Sequence, residues 1–148
     1  MRRIVGVLLF VIATSLGFIG ATTVAPPHDT DLIVAPTSIY EFFAGHTGVQ
    51  CEMGRADTSW VKRDYAYCQS VSANISVSFD RGGTPKVCDD HVSCLGNPGI
   101  NTPHLHAGQA VRSGDIVCAI TRDAVTCHDS GANGFMMTRD RIAPLVHD

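Results

Sequence analysis

The sequence predicts a small all-β domain stapled by disulfides, an antiparallel barrel or sandwich of about eight or nine short strands. Three observations carry that prediction. Six cysteines, Cys51, Cys68, Cys88, Cys94, Cys118 and Cys127, lie in the 148-residue chain, an even count that in a small exported protein reads as a disulfide framework. Short apolar runs alternate with turn-forming residues, and no stretch holds a helical period for three turns. The composition, 45% hydrophobic and 17% charged, is that of one globular domain.

Met1-Arg2-Arg3 gives the chain a charged start, and Ile4 to Gly20 is an uncharged run of 17 apolar or small residues. Residues 1–25 therefore read as a secretory signal, cut between Ala21 and Pro26. The competing reading is an uncleaved anchor, because about 17 residues is the low end of a bilayer span. A membrane is expected only through this segment. Residues 26–38, with Pro26-Pro27 and the polar His28-Asp29-Thr30-Asp31, read as an exposed linker, residues 39–145 as the β domain, and residues 146–148 as a tail.

Within the domain the expected strands are Tyr40 to Phe43, Val49 to Met53, Asp64 to Gln69, Ile75 to Asp80, Pro85 to Cys88, Gly108 to Val111, Ile116 to Thr121, Ala124 to His128 and Phe135 to Arg139. Their separators are Gly45-His46-Thr47-Gly48, Asp80-Arg81-Gly82-Gly83, Asn97-Pro98-Gly99 and Ser130-Gly131-Ala132-Asn133-Gly134. One hairpin can be taken to its register. With Arg122-Asp123 as a two-residue turn, Thr121 faces Ala124, Ile120 faces Val125, Ala119 faces Thr126 and Cys118 faces Cys127. Thr121 and Ala124 flank the loop as a hydrogen-bonded pair, so alternation makes the two cysteines a closer, non-hydrogen-bonded pair. A disulfide fits there. The same alternation puts Ile116, Cys118, Ile120, Val125 and Cys127 on the core face.

Of the 15 possible connectivities, sequential pairing closes the most local loops: Cys51 with Cys68, Cys88 with Cys94, Cys118 with Cys127. Zinc is disfavoured, since the nearest cysteines, Cys88 and Cys94, are too far apart for a C-x-x-C pair. Cys68 and Cys127 are each followed, five and six residues on, by Ala-Asn, as Ala73-Asn74 and Ala132-Asn133. The echo suggests two disulfide-pinned hairpins related by duplication.

Several motifs also resemble a known family. Thr47-Gly48-Val49-Gln50-Cys51-Glu52-Met53 is similar to its SGNI.C.M opening, Ala66-Tyr67-Cys68 to its A.C step, and Leu105-His106-Ala107-Gly108 to its L.YG turn. Cys118 to Cys127 resembles C.S..GVTC, and Gly134-Phe135-Met136-Met137-Thr138-Arg139 resembles GF.LSR. These belong to small exported proteins of actinobacteria, especially mycobacteria, that carry a domain of unknown function, and the resemblance spans roughly Tyr40 to Ile142. It departs from the pattern at Val49, at His106-Ala107 and at Ala124. It implies export and a shared fold, and it supplies no catalytic residues.

Charge narrows the function. Removal of Arg2 and Arg3 leaves nine basic residues against fourteen acidic ones, a net of −5, which argues against a nucleic-acid partner. His104 and His106 flank Leu105, so an extended chain would point both imidazoles to one side, with Asp89, Asp90 or His91 from the Cys88 to Cys94 loop as further metal ligands. The alternative is a polar loop beside a solvent face. Glu41 and Glu52 are the only glutamates, no nucleophile signature such as G-x-S-x-G appears, and oxidised cysteines cannot serve as thiol nucleophiles. The twelve aspartates read as turn caps and solubilising charges. Phe42, Tyr65 and Tyr67 are expected in the core. Trp60, between Asp57-Thr58-Ser59 and Lys62-Arg63-Asp64, is the candidate exposed binding residue.

These readings point to a secreted or cell-wall protein without a cofactor. It would act as a non-catalytic module that binds an envelope or extracellular protein or glycan. The alternatives are a small secreted metal-dependent enzyme or hydrolase and an inhibitor of a lytic enzyme.

Overall fold

A computed structural model describes residues 31–57, 61–89, 94–97, 99 and 101–146. The segment read as a secretory signal, Trp60, Asp90 and His91 lie outside the described residues. Among the described residues twelve strands form in order: β1 (Asp31–Val34), β2 (Ile39–Ala44), β3 (Val49–Gly54), β4 (Tyr65–Ser70), β5 (Ile75–Asp80), β6 (Lys86–Cys88), β7 (His104–Leu105), β8 (Gln109–Ser113), β9 (Ile116–Ile120), β10 (Val125–His128), β11 (Gly134–Met137) and β12 (Ile142–Leu145). They make two six-stranded sheets packed as a sandwich. Sheet I has the order β12-β11-β10-β9-β8-β1 and sheet II the order β6-β5-β4-β3-β2-β7.

The two sheets repeat one topology. Each is a five-strand antiparallel meander, β2 to β6 or β8 to β12, completed at its first strand by one parallel edge strand. That edge strand comes from the opposite half. β1, which precedes β2 in the chain, pairs in parallel with β8, and β7, which precedes β8, pairs in parallel with β2. Cys51 and Cys68 face each other across β3 and β4 with Cα atoms 4.1 Å apart, and Cys118 and Cys127 do the same across β9 and β10 at 4.0 Å. The halves thus correspond strand for strand with their first strands exchanged, and the Ala-Asn echo falls in the turn after the second cysteine strand of each.

Alternation along the strands builds the core. Phe42, Val49, Cys51, Met53, Cys68, Val77 and Phe79 from sheet II meet Val111, Ile116, Cys118, Ile120, Val125, Cys127, Phe135 and Met137 from sheet I in one buried cluster. The register expected for the β9–β10 hairpin is the observed one, and all three disulfides pair sequentially. The turn itself is closed differently from a primed hairpin. Neither Arg122 nor Asp123 has positive φ, whereas type I′ and II′ turns require it. The Thr121 amide still donates to Ala124 O at 2.9 Å, while the Ala124 amide donates to Thr121 Oγ1 at 3.1 Å, a side-chain bond in place of the reciprocal backbone one.

Nine expected strands are present, with ends shifted by a residue or two. Three strands were not anticipated. β1 lies inside the stretch read as a linker, β7 inside the stretch read as a histidine loop, and β12 carries Pro144 at a sheet edge, where proline is tolerated. β1 and β7 are held by backbone pairing to strands far away in sequence, and β1 turns Leu32 and Val34 to solvent, so neither shows a local burial pattern.

Candidate functional site: a polar pocket on the outer face of sheet II

The register of sheet II sets out two rows of side chains on its outer face. One runs Glu41, Glu52, Tyr67, Ser78, Lys86 across β2 to β6, and the next runs Phe43, Gln50, Gln69, Ser76, Cys88. Cys88 therefore points away from the core. Its disulfide to Cys94 brings residues 94–97 back over this face as a strap.

The strap is tied down by the amides and phenol beneath it. Gly96 N–H donates to Gln69 Oε1 at 2.7 Å, the Tyr67 hydroxyl donates to Cys94 O at 2.9 Å, and Gln69 Nε2 donates to Gln50 Oε1 at 3.0 Å. Further along, Gly99 N–H donates to Glu41 Oε2 at 2.6 Å. A Cβ on Gly99 would lie 1.9 Å from that oxygen, so a side chain there would push the carboxylate off the peptide. Between strap and sheet lies a cavity of about 240 Å³ lined by Glu41, Gln50, Cys51, Glu52, Tyr67, Gln69, Gly96 and Asn97. Gln50 and Gln69 are buried, at 6% and 3% exposure.

Glu41 and Glu52, the only two glutamates of the chain, are direct cross-strand partners. Phe43 N–H points away from β3, to Pro103 O at 2.8 Å. Residues two apart point their peptides the same way, so Glu41 and Glu52 form a non-hydrogen-bonded pair, the type whose Cα atoms approach to about 4.5 Å. Among the described residues neither carboxylate is in an ion pair. Glu52 accepts a hydrogen bond from the Tyr65 hydroxyl. The Tyr65 ring lies flat over Gly54, its cross-strand partner, where a Cβ would meet the ring at 2.0 Å. Burial first, then the bond to Glu52 and the charges of Glu52 and Glu41, hold the Tyr65 phenol well above the ordinary tyrosine range.

The residues singled out in the sequence fare differently. Phe42 is core, as expected. Tyr65 and Tyr67 are not; their odd positions on β4 place them on the outer face, where Tyr67 lines the pocket and Tyr65 bonds the pocket residue Glu52. His104 is exposed on β7 and stacks on Phe43, ring centroids 5.0 Å apart. His106 opens the turn before β8, where its N–H donates to Gln109 Oε1 at 2.8 Å. With Asp90 and His91 outside the described residues, no three histidine, cysteine or acidic side chains among the described residues group to hold a metal ion. The pocket residues Gln50, Gln69 and Glu41 were not singled out as a site, and only the scarcity of glutamate pointed toward them.

Comparison with protein-family models, with curated proteins and with solved structures finds no match for this chain.

Proposed function

We propose that this protein is an exported, non-catalytic binding module whose ligand enters the pocket beneath the Cys94–Asn97 strap. The observation that carries the reading is a pocket that gathers the polar side chains of Glu41, Gln50, Glu52, Tyr67, Gln69 and Asn97 and is fixed in place by a disulfide and at least four hydrogen bonds. A rigid polar cavity of this kind lowers the ordering cost of binding. At about 240 Å³ it is smaller than the ~300 Å³ at which pockets for drug-sized ligands begin. It suits one small polar unit, including the end of a glycan. Three disulfides are consistent with an oxidising compartment, and the charged, apolar N-terminus and the family resemblance support export to the cell wall or medium.

Two measurements test this. Intact mass of the protein from its host's culture medium should fit a chain starting between Thr22 and Pro26 with three disulfides; full-length, membrane-held protein would refute export. Titration with soluble cell-envelope glycan fragments should shift the Gln50 and Gln69 side-chain amide resonances, and Gln69→Ala should abolish the response.

A second reading has its own observation. Two carboxylates opposed on adjacent strands are what a glycoside hydrolase uses, and the only two glutamates of the chain stand so. Turnover of chromogenic glycosides, lost in both Glu41→Gln and Glu52→Gln, would establish it in place of the binding module.

A further inference from the structure

The duplicated fold contains its own control for the pocket. The positions of sheet I that correspond to Glu41, Glu52 and Gln50 are Ala110, Ala119 and Val117, by register from the two cross-strand disulfides. This backbone therefore does not need a carboxylate at either position. Like charges directly opposite each other on neighbouring strands are destabilising, and among the described residues no lysine, arginine or histidine lines the pocket to offset them. A second observation is independent of the acids. Gln50 is 6% exposed; its carbonyl accepts from Gln69, while its amide nitrogen donates to no described residue. That nitrogen belongs to a side chain lining the pocket and is a donor left open to a ligand's acceptor oxygen.

We propose that the pocket binds a small ligand carrying an organic ammonium group beside an acceptor oxygen, the chemistry shared by amino sugars and amino acid amides. This rests on the pocket being the ligand site. The ammonium is a compact charge with three donors and lies between the Glu41 and Glu52 carboxylates, while the neighbouring hydroxyl or carbonyl oxygen accepts from Gln50. A bare calcium ion fits poorly. It takes about six to eight oxygens, and the Gln50 and Gln69 oxygens are already engaged.

The test titrates the ¹⁵N-labelled, disulfide-bonded protein with two matched pairs, glucosamine against N-acetylglucosamine and alaninamide against N-acetylalaninamide. The amine of at least one pair is expected to shift the Gln50 and Gln69 side-chain resonances, and the pair that responds identifies the source. Acetylation should weaken binding about tenfold or more, the scale of a lost charge-assisted hydrogen bond. Glu41→Gln and Glu52→Gln should do the same while leaving Tm within a few degrees. Equal or tighter binding of an acetylated ligand would overturn the ammonium inference and leave the pocket as a ligand site. Calcium moving the same resonances reversibly with chelator, with the amines silent, would also overturn it. If neither pair, calcium nor the glycan fragments move them, both this inference and the binding reading fall. The acetylated controls need no variant, so a substitution that fails to fold does not blunt the result.

Discussion

Phe79 and Phe135 meet edge to face across the sandwich, with ring centroids 6.5 Å apart and ring planes at 77°. They come from β5 and β11, the strands that hold the same place in the two meanders. Both are fully buried, so this contact joins the two halves through matching strands, although by register Phe135 corresponds to Val77 and Phe79 to Met137.

Replacing either ring by alanine should therefore separate the sheets at their centre. Phe79→Ala and Phe135→Ala are each expected to cost about 3–5 kcal/mol. The double variant should fall short of the sum by about 0.5–1.5 kcal/mol, the energy of the lost ring pair. Urea unfolding of the two singles and the double measures this. Strict additivity would mean that the rings contribute only separately.

The three disulfides should differ in what they hold. Cys51, Cys68, Cys118 and Cys127 are fully buried in the core, whereas Cys88 faces outward and anchors the strap. Each loop contributes about 2–3 kcal/mol in the chain-entropy account, together comparable with the ~5–15 kcal/mol of a typical domain, so full reduction should unfold the protein. The Cys88→Ser, Cys94→Ser double variant should instead keep a cooperative sandwich by near-ultraviolet circular dichroism and lose pocket binding. Loss of the tertiary signal in that variant would show that the strap is part of the fold rather than only of the site.

Tyr65 gives a pH dependence with a definite sign. Its folded pKa is raised above the usual 10.0, first by burial and then by Glu52. Both states carry the proton below 10.0, so the Tyr65 contribution is fully present there. Above it the unfolded chain ionises first, and stability is lost as pH rises toward the folded value. Tm should fall above about pH 10, and Tyr65→Phe should flatten that part of the fall. Among the three tyrosines, absorbance titration of the folded protein should find one phenol that ionises last, absent in Tyr65→Phe.

What the sequence disclosed was local, and what it hid was long-range. The β9–β10 register could be read because turn, alternation and cysteine spacing all lie within Ile116 to His128. Sequential disulfides followed from the same locality. β1 and β7 escaped because parallel edge strands are defined by partners about 60–80 residues away and show no alternation of their own. The pocket escaped for a related reason. Glu41 and Glu52 look like two isolated acids until β2 pairs with β3, and Tyr65 and Tyr67 look like core until the register of β4 puts them on the outer face of sheet II, the face that the disulfide at Cys88 covers with a strap.

Two buried aspartates make the last prediction, and they show the expected turn-capping role reaching across the sandwich. Asp64, 8% exposed, accepts from Ala56 N–H in its own sheet and from Asp115 N–H in the β8–β9 turn of the other, each at 2.8 Å. Asp129, 5% exposed, accepts from Gly131 and Asn133 in its own turn and from Gly82 N–H in the β5–β6 turn of the other sheet at 2.8 Å. Asn in place of either removes one acceptor oxygen and turns an amide donor toward a backbone donor. Leaving a buried N–H unpaired costs about 1–3 kcal/mol, so Asp64→Asn and Asp129→Asn should each lower stability by that amount in urea unfolding. Asp123→Asn and Asp140→Asn, both exposed, should stay within about 0.5 kcal/mol of the parent. Equal effects at all four positions would show that net charge, not these cross-sheet bonds, sets the contribution of the aspartates.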